Sequence, residues 1–442
     1  MNPLSTAVMA QQVREGATSA EAGVRHVLDD IRRKNESLTA FTRVFEDEAL
    51  AAARTIDARI AAGENAGPLA GVPFAVKDLF DVGGYPTTAG ARMRRDAAPA
   101  VGDAKAVRRL KAAGAILIGT LNMDEYAYGF ATVNAHFGTT KNPHDPARLA
   151  GGSSGGSAAV VAAGLVPLTL GSDTNGSIRV PASLCGVWGL RPADGVIPLA
   201  GVFPFVEALD TIGPFTRTLG DLRTAYAVLS GHPVPASAGT PRVARLGGFF
   251  ARNASADAVA AVDAVMAHVK SDAVVALPEA EAARSAAFLI TAAQGGALHL
   301  ETLKTQAMDY DPAVRDRLIA GALLPAAAYL KAWEMRARWR RQVAELFDDY
   351  DILLAPATPT VAPRIDEGTI LIDGKPASAR ANLGIYCQPL SLAGVPVVSA
   401  PYDKGTLPIG VQCVTAPGRE GMMFDWLERL ERDGVLAARG IA

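Results

Sequence analysis

Cysteine is scarce. The 442-residue chain has three, Cys185, Cys387 and Cys413, far apart and never spaced as C-x-x-C. That excludes a disulfide framework and a thiol-redox motif, and it fits a reducing cytoplasm. Histidine is scarce as well. The six, His26, His136, His144, His232, His268 and His299, form no H-x-x-x-H or H-x-x-E-H. A zinc hydrolase is therefore not expected, and no metal or other cofactor is called for. Neither sign of charge dominates, with Lys and Arg at 43 against Asp and Glu at 45. No basic block occurs, so neither nucleic acid nor an anionic membrane is expected as a partner. No apolar run reaches the roughly 20 residues that a bilayer requires. The nearest, around Ala158 to Leu170, is broken by glycine and proline. The opening "MNPLSTAVMAQQVREG" lacks the basic and apolar regions of a secretory signal, and a cytoplasmic location is expected. There is no G-x-x-x-x-G-K-[ST] phosphate cradle and no S-x-x-K.

What remains is an ordinary soluble composition, 49% apolar and 20% charged, long enough for a large core. The pattern alternates helix and strand. Thr18 to Glu21 has the form of a capping box before the helical "AGVRHVLDDIRRKN". "EDEALAAARTIDARIAAG" reads as a second helix and "GVPFAVKD" as a buried strand. "DAKAVRRLKAAGAILIGTLN" reads as helix, glycine stop and strand. A helix at Ala158–Ala163 and a strand near Val166–Leu170 follow. "RVARLGG", "AVVALPE" and "YDILLAP" are later strands with helices between them. The reading is a layered α/β fold with a large sheet. The loosest boundary is "GHPVPASAGTPR", with no true domain break expected there.

Two Gly/Ser clusters flank one of these strands. "GGSSGGSAAV", Gly151 to Val160, has the composition of a flexible linker. Yet it runs directly into an apolar segment and then into "SDTNGSIRVPASLCG". Gly151 to Gly155 also matches the G-x-S-x-G nucleophile elbow, which requires a strand just before the serine. The preceding "KNPHDPARLA" holds two prolines and no apolar run, so the elbow is not expected. Lys77 lies in the apolar "PFAVKDLF". It is either a lysine reaching water from a strand end or a buried amine. Desolvation lowers the pKa of a buried amine and makes it a neutral base near pH 7. Ser177 follows a strand and a glycine-containing turn, where consecutive backbone N–H groups can face one oxyanion.

"GVPFAVKDLF", "GGSSGGSAA" and "GSDTNGSIRVPASLCGVWGLRP" resemble the amidase signature family. The resemblance runs on through "APATPT", "SLAGVPVVSAP" and "LPIGVQ", over nearly the whole chain. It implies an α/β fold with a large mixed central sheet and helices on both faces. One domain would span 1–442, with N-terminal helices in 1–65 and a catalytic core in about 66–230. The C-terminal half, 240–442, would complete the sheet and pocket. The resemblance implies a Ser–cis-Ser–Lys triad, with Ser177 as nucleophile, Ser153 on a cis peptide bond as proton relay and Lys77 as general base. The backbone of Thr174, Asn175, Gly176 and Ser177 would form the oxyanion hole. Asn175 is a departure, because many members carry glycine there.

"LNMDEYAYGF", "KNPHDPARLAGGSSGGS" and "GALHL" near His299 are similar to members acting on carboxylated urea-type amides such as 1-carboxybiuret. This implies release of ammonia to leave urea-1,3-dicarboxylate. It also implies a small-molecule amide substrate and a small helical partner protein, in a homodimer or heterotetramer. Arg179 is the candidate for the substrate carboxylate, with an ion pair to Asp173 as the alternative. The glutaminase component of a tRNA-dependent amidotransferase shares "NMDE" but needs an acidic residue upstream of "PLSLAGVP". Gly384 stands at that place here. A general small-amide amidase is the other alternative. Asn122, Tyr128, Tyr386 and Gln388 are candidate pocket residues, Tyr128 equally a core residue. Cys185 is expected as a small buried side chain, and His136 and His144 as solvated loop residues.

Overall fold

A computed structural model describes residues 5–237 and 239–439. The termini beyond them lie outside it, as does Ala238, within the loose boundary stretch 231–242. The helix Ala20–Leu38 starts one residue later than the capping-box pattern proposes. Ser19, not Thr18, is the cap, and its Oγ accepts from Ala22 N at 3.0 Å. Val24, Val27, Leu28 and Ile31 recur at helical spacing and are buried. Among the described residues no helix is long and apolar enough to cross a membrane.

Among the described residues eleven strands join in one sheet. In chain order they are β1 (Phe41–Val44), β2 (Pro73–Lys77), β3 (Ile116–Leu121), β4 (Leu168–Ser172) and β5 (Trp188–Arg191). Then come β6 (Ile212–Thr216), β7 (Val243–Leu246), β8 (Val274–Val275), β9 (Ile352–Pro356), β10 (Val397–Tyr402) and β11 (Ile409–Val414). Their order across the sheet is β1-β3-β2-β4-β6-β5-β10-β11-β9-β7-β8. β2 pairs in parallel with β3 and β4, while β4 and β6 are antiparallel, so the sheet is mixed. Both faces are covered. Along β2, Phe74 and Val76 enter one apolar cluster and Ala75 the other. A strand covered on both sides reads as a continuous apolar run, which is how "PFAV" reads.

The Ala-rich helix begins earlier than the sequence pattern suggests, at Gly155, and ends at Ala162. Its glycines are needed for close approach rather than mobility. A Cβ on Gly156 would fall 2.6 Å from Asn122 O and 2.8 Å from Asn122 N. The segment before it, expected to hold no strand, contains a short one, Asp145–Leu149. This strand pairs with Lys141–Asn142 outside the main sheet. A strand outside the main sheet does not supply the nucleophile elbow.

β2 and β4 are parallel neighbours, with Val76 beside Leu170. Lys77 and Ser172 therefore emerge together at the carboxyl ends of adjacent strands, where open α/β sheets hold their ligands.

Candidate active site

Lys77 is fully buried. Its Nζ lies 2.7 Å from Ser153 Oγ and 2.8 Å from Ser172 Oγ. Burial drives its pKa down from 10.5 to about 7, against the opposing pull of Asp124, Asp173 and Asp210. The snorkelling alternative fails, since no part of the side chain reaches water.

The glycine-serine stretch is not a linker. All ten residues from Gly151 to Val160 are buried. The Gly152–Ser153 peptide is cis. Asp124 lies against this turn and accepts from Ala131 N at 3.1 Å and Thr132 N at 2.9 Å. A Cβ on Gly152 would fall 2.5 Å from Ala131 N, so only glycine fits there. Thr132 Oγ1 accepts from Gly155 N at 2.9 Å. Ser154 N donates to Ser177 O at 3.3 Å, which brings the second Gly/Ser cluster against the first.

Asp173 organises the turn that carries Ser177. Its carboxylate accepts from Gly176 N at 2.6 Å, Ile178 N at 3.1 Å and Arg179 N at 3.3 Å. Gly176 is thereby removed from the expected oxyanion donors, because its N–H is already engaged. The amides of Thr174, Asn175 and Ser177 have no partner among the described residues. Three donors thus remain on the turn beside the Ser177 hydroxyl.

Arg179 is turned into the core. Nε and Nη2 donate to Asp173 at 3.0 and 2.9 Å, and Nη2 also donates to Ser391 Oγ at 2.5 Å. Nη1 donates to Cys387 O and Gln412 Oε1. The side chain is fully buried with its five N–H donors engaged. Burial alone would push the Asp173 carboxyl upward, but Arg179 outweighs it and the pKa settles at about 2. The ion-pair alternative to a carboxylate anchor is the one the geometry supports. Arg179→Met is accordingly expected to cost about 3–5 kcal/mol of stability, the usual cost of stranding one partner of a buried pair. Turnover of charged and neutral amides should fall together. Thermal unfolding and paired assays check this, and a loss confined to carboxylated amides would refute it.

Ser177 opens onto a small pocket of about 20 Å³, little more than one water needs. Tyr128, Phe130 and Phe205 form one side. Phe288 and Thr291 come from the helix Ala280–Gln306, Arg317 from Pro312–Ala322 and Gln388 from Cys387–Ala393. A larger cavity of about 830 Å³ shares the wall Ala127, Thr174 and Phe205 and reaches Ser172. The Arg317 guanidinium lies 3.7 Å over the Tyr128 ring, and Nη1 donates to Tyr128 O at 3.2 Å. It makes no ion pair among the described residues. Burial pulls its pKa down, yet a guanidinium stays charged at neutral pH.

Two expected pocket residues are elsewhere. Asn122 Nδ2 donates to Thr39 O, Gly138 O and Thr140 Oγ1, and Oδ1 accepts from Met123 N. It ties a loop together and lines no part of the pocket. Tyr386 is buried behind the pocket, its hydroxyl donating to Arg252 O at 2.5 Å. Tyr128 and Gln388 do line it. Cys185 is buried, its thiol raised by desolvation and donating to Ala150 O. Both expected loop histidines are partly buried and held by neighbours. His136 Nε2 lies 3.2 Å from the buried Glu125, and His144 Nε2 lies 2.9 Å from Cys185 O. Arg317, Thr291 and Ser172 carried no local signal in the sequence, since each meets its partners across many residues of chain.

A family model described as Amidase matches residues 22–276 and 258–424. AtzE, a component of the 1-carboxybiuret hydrolase of Pseudomonas sp. (strain ADP), is 46% identical, over 98% of this chain and 99% of that protein. One component of the glutamyl-tRNA(Gln) amidotransferase of Moorella thermoacetica is 36% identical, over 92% and 91% of the two chains. Among solved structures, a vestigial protein complex described as revealing the origins of an s-triazine catabolic enzyme superposes with a TM-score of 0.95. It is 44% identical and covers 99% of this chain and all of that one. Agreement of this kind along the full length settles the lineage: the chain belongs to the amidase signature family and is a hydrolase of amide bonds.

Proposed function

We propose that the chain hydrolyses the terminal amide of a small carboxylated urea, of the 1-carboxybiuret type, and releases ammonia. The observation that carries the chemistry is the buried Lys77, its pKa near 7, within 2.7 Å of Ser153 Oγ. A neutral amine has two N–H groups and one lone pair. It can donate to Ser172 and accept the Ser153 proton. Ser153 then takes the proton of Ser177, a hydrogen bond not yet made among the described residues and one that the bound substrate must bring about, as Ser177 Oγ attacks the scissile carbonyl. The oxyanion meets the free amides of Thr174, Asn175 and Ser177. The proton held by Lys77 returns through Ser153 to the leaving nitrogen, and ammonia departs from an acyl-enzyme. Water, deprotonated by the same relay, releases the acid and regenerates Ser177.

The substrate class rests on Arg317. An unpaired guanidinium on the wall of a small pocket suits a carboxylate. Glutamine does not suit the site. Gly384, where the amidotransferase relatives would need an acidic residue, is packed under Phe130, and a Cβ there would fall 2.4 Å from the ring. A small helical partner protein, in a homodimer or heterotetramer, fits the likeness to the s-triazine complex, and the mass of the chain purified from its own cells, with or without a bound small protein, tests it. An ammonia-release panel tests the substrate, with 1-carboxybiuret, biuret, malonamate, glutamine and simple amides. The carboxylated urea should lead. Arg317→Gln should raise its KM about tenfold to a hundredfold, matching about 1.5–3 kcal/mol for a charged hydrogen bond. Turnover of a neutral amide should barely change. Efficient glutamine hydrolysis by the wild type would overturn the proposal.

A further inference from the structure

Two amide side chains of the pocket lining leave opposite ends without a partner. Asn175 Nδ2 donates to Thr291 Oγ1 at 2.7 Å, so Asn175 Oδ1 points the other way. That oxygen is buried and has no hydrogen-bond partner. Thr291 is itself buried on the long helix Ala280–Gln306. Gln388 is oriented in the reverse sense. Arg284 Nε donates to Gln388 Oε1 at 3.0 Å, while Arg284 Nη2 is anchored on Asn382 Oδ1 at 2.8 Å. The Gln388 NH2 is left as a donor. Both residues line the pocket beside Ser177, one with an unpartnered acceptor and one with an unpartnered donor. A buried acceptor without a partner is unfavourable, so the site gains most from a ligand that brings an N–H to Oδ1.

We propose that Asn175 and Gln388 read the –C(O)–NH–C(O)– unit of the substrate, with Thr291 and Arg284 as their positioning residues. Asn175 Oδ1 accepts from the NH beside the scissile carbonyl. Gln388 Nε2 donates to the carbonyl beyond it. This rests on the urea-type reading above and sharpens it, because the pair separates NH from CH2. A methylene at that place leaves Oδ1 unfilled. Sites built to hydrogen-bond a group discriminate strongly against the analogue that lacks it. A family member with glycine at this position has no such acceptor.

Biuret and malonamide test the idea, since they differ only by NH against CH2 between two carbonyls. Both are neutral and carry the same amide ends. Their inhibition constants are measured against whichever amide of the panel the wild type turns over fastest. Failure of the carboxylated-urea proposal therefore leaves this measurement intact. Wild-type enzyme should bind biuret about tenfold or more tightly than malonamide. Asn175→Gly should bring the two constants within about twofold, a loss read from the ratio and not from activity. Thr291→Val keeps Asn175 but frees it to turn, and should lose part of the preference. Arg284→Met should do the same through Gln388. Thr291→Val carries the test alone should Asn175→Gly fail to fold. Equal constants in the wild type would overturn the inference. So would an unchanged ratio in Asn175→Gly or, failing that variant, in Thr291→Val.

Discussion

Ser177→Ala is expected to abolish ammonia release and leave the fold intact. The hydroxyl is the nucleophile in the proposed reaction, and the turn that carries it is held by Asp173 through three backbone amides that the substitution does not touch. Among the described residues Ser177 Oγ has no hydrogen-bond partner, so its removal strands no buried group. Thermal unfolding should hardly move. Turnover should fall by about 10⁴-fold or more, as when other covalent hydrolases lose their nucleophile. The residue left behind should still bind substrate, because Arg317 and the three free amides remain. Binding without turnover, and no acyl-enzyme mass on quenching, is the expected pair of results. Near-native ammonia release from the purified variant would remove Ser177 from the mechanism.

How much of this was readable beforehand depends on the range over which each feature acts. The strand Pro73–Lys77 was legible because burial on both faces leaves a continuous apolar run, and an amine at its end stands out against it. The two Gly/Ser clusters were legible as one unit through the family resemblance. Their composition alone pointed the wrong way, to a linker. What makes the first cluster rigid is contact with Asn122, Asp124 and Thr132, far off in the chain. Arg179 stood between two roles for a related reason. A cation two residues after a nucleophile looks available for substrate until its partners at Cys387, Ser391 and Gln412 are seen. Arg317 had the opposite fate. Its helix, Pro312–Ala322, has an ordinary sequence, and only the fold brings it over Tyr128. Gly176 shows the same limit on the scale of one turn. Its amide had to be placed before it was clear that Asp173 already held it.

Lys77 supplies the second large effect, and pH is its most direct readout. Burial lowers its pKa to about 7, so the amine is largely neutral above that value and protonated below it. The neutral form is the base. Activity should therefore rise with pH through about 7, and kcat/KM should fall about tenfold per unit below it. Asp124, Asp173 and Asp210 pull the pKa upward against the effect of burial. Lys77→Met fills the same space without a charge and should reduce turnover by orders of magnitude, with the fold kept. Lys77→Arg should be as inactive, because a guanidinium holds its proton at every pH at which the protein is folded and offers no lone pair. Raising the pH cannot rescue Lys77→Arg, and this separates the loss of a base from the loss of a positive charge. Were charge the requirement, Lys77→Arg would retain activity and the acid limb would be absent. Activity in Lys77→Arg at neutral pH would assign the proton to another group and leave Lys77 a structural amine.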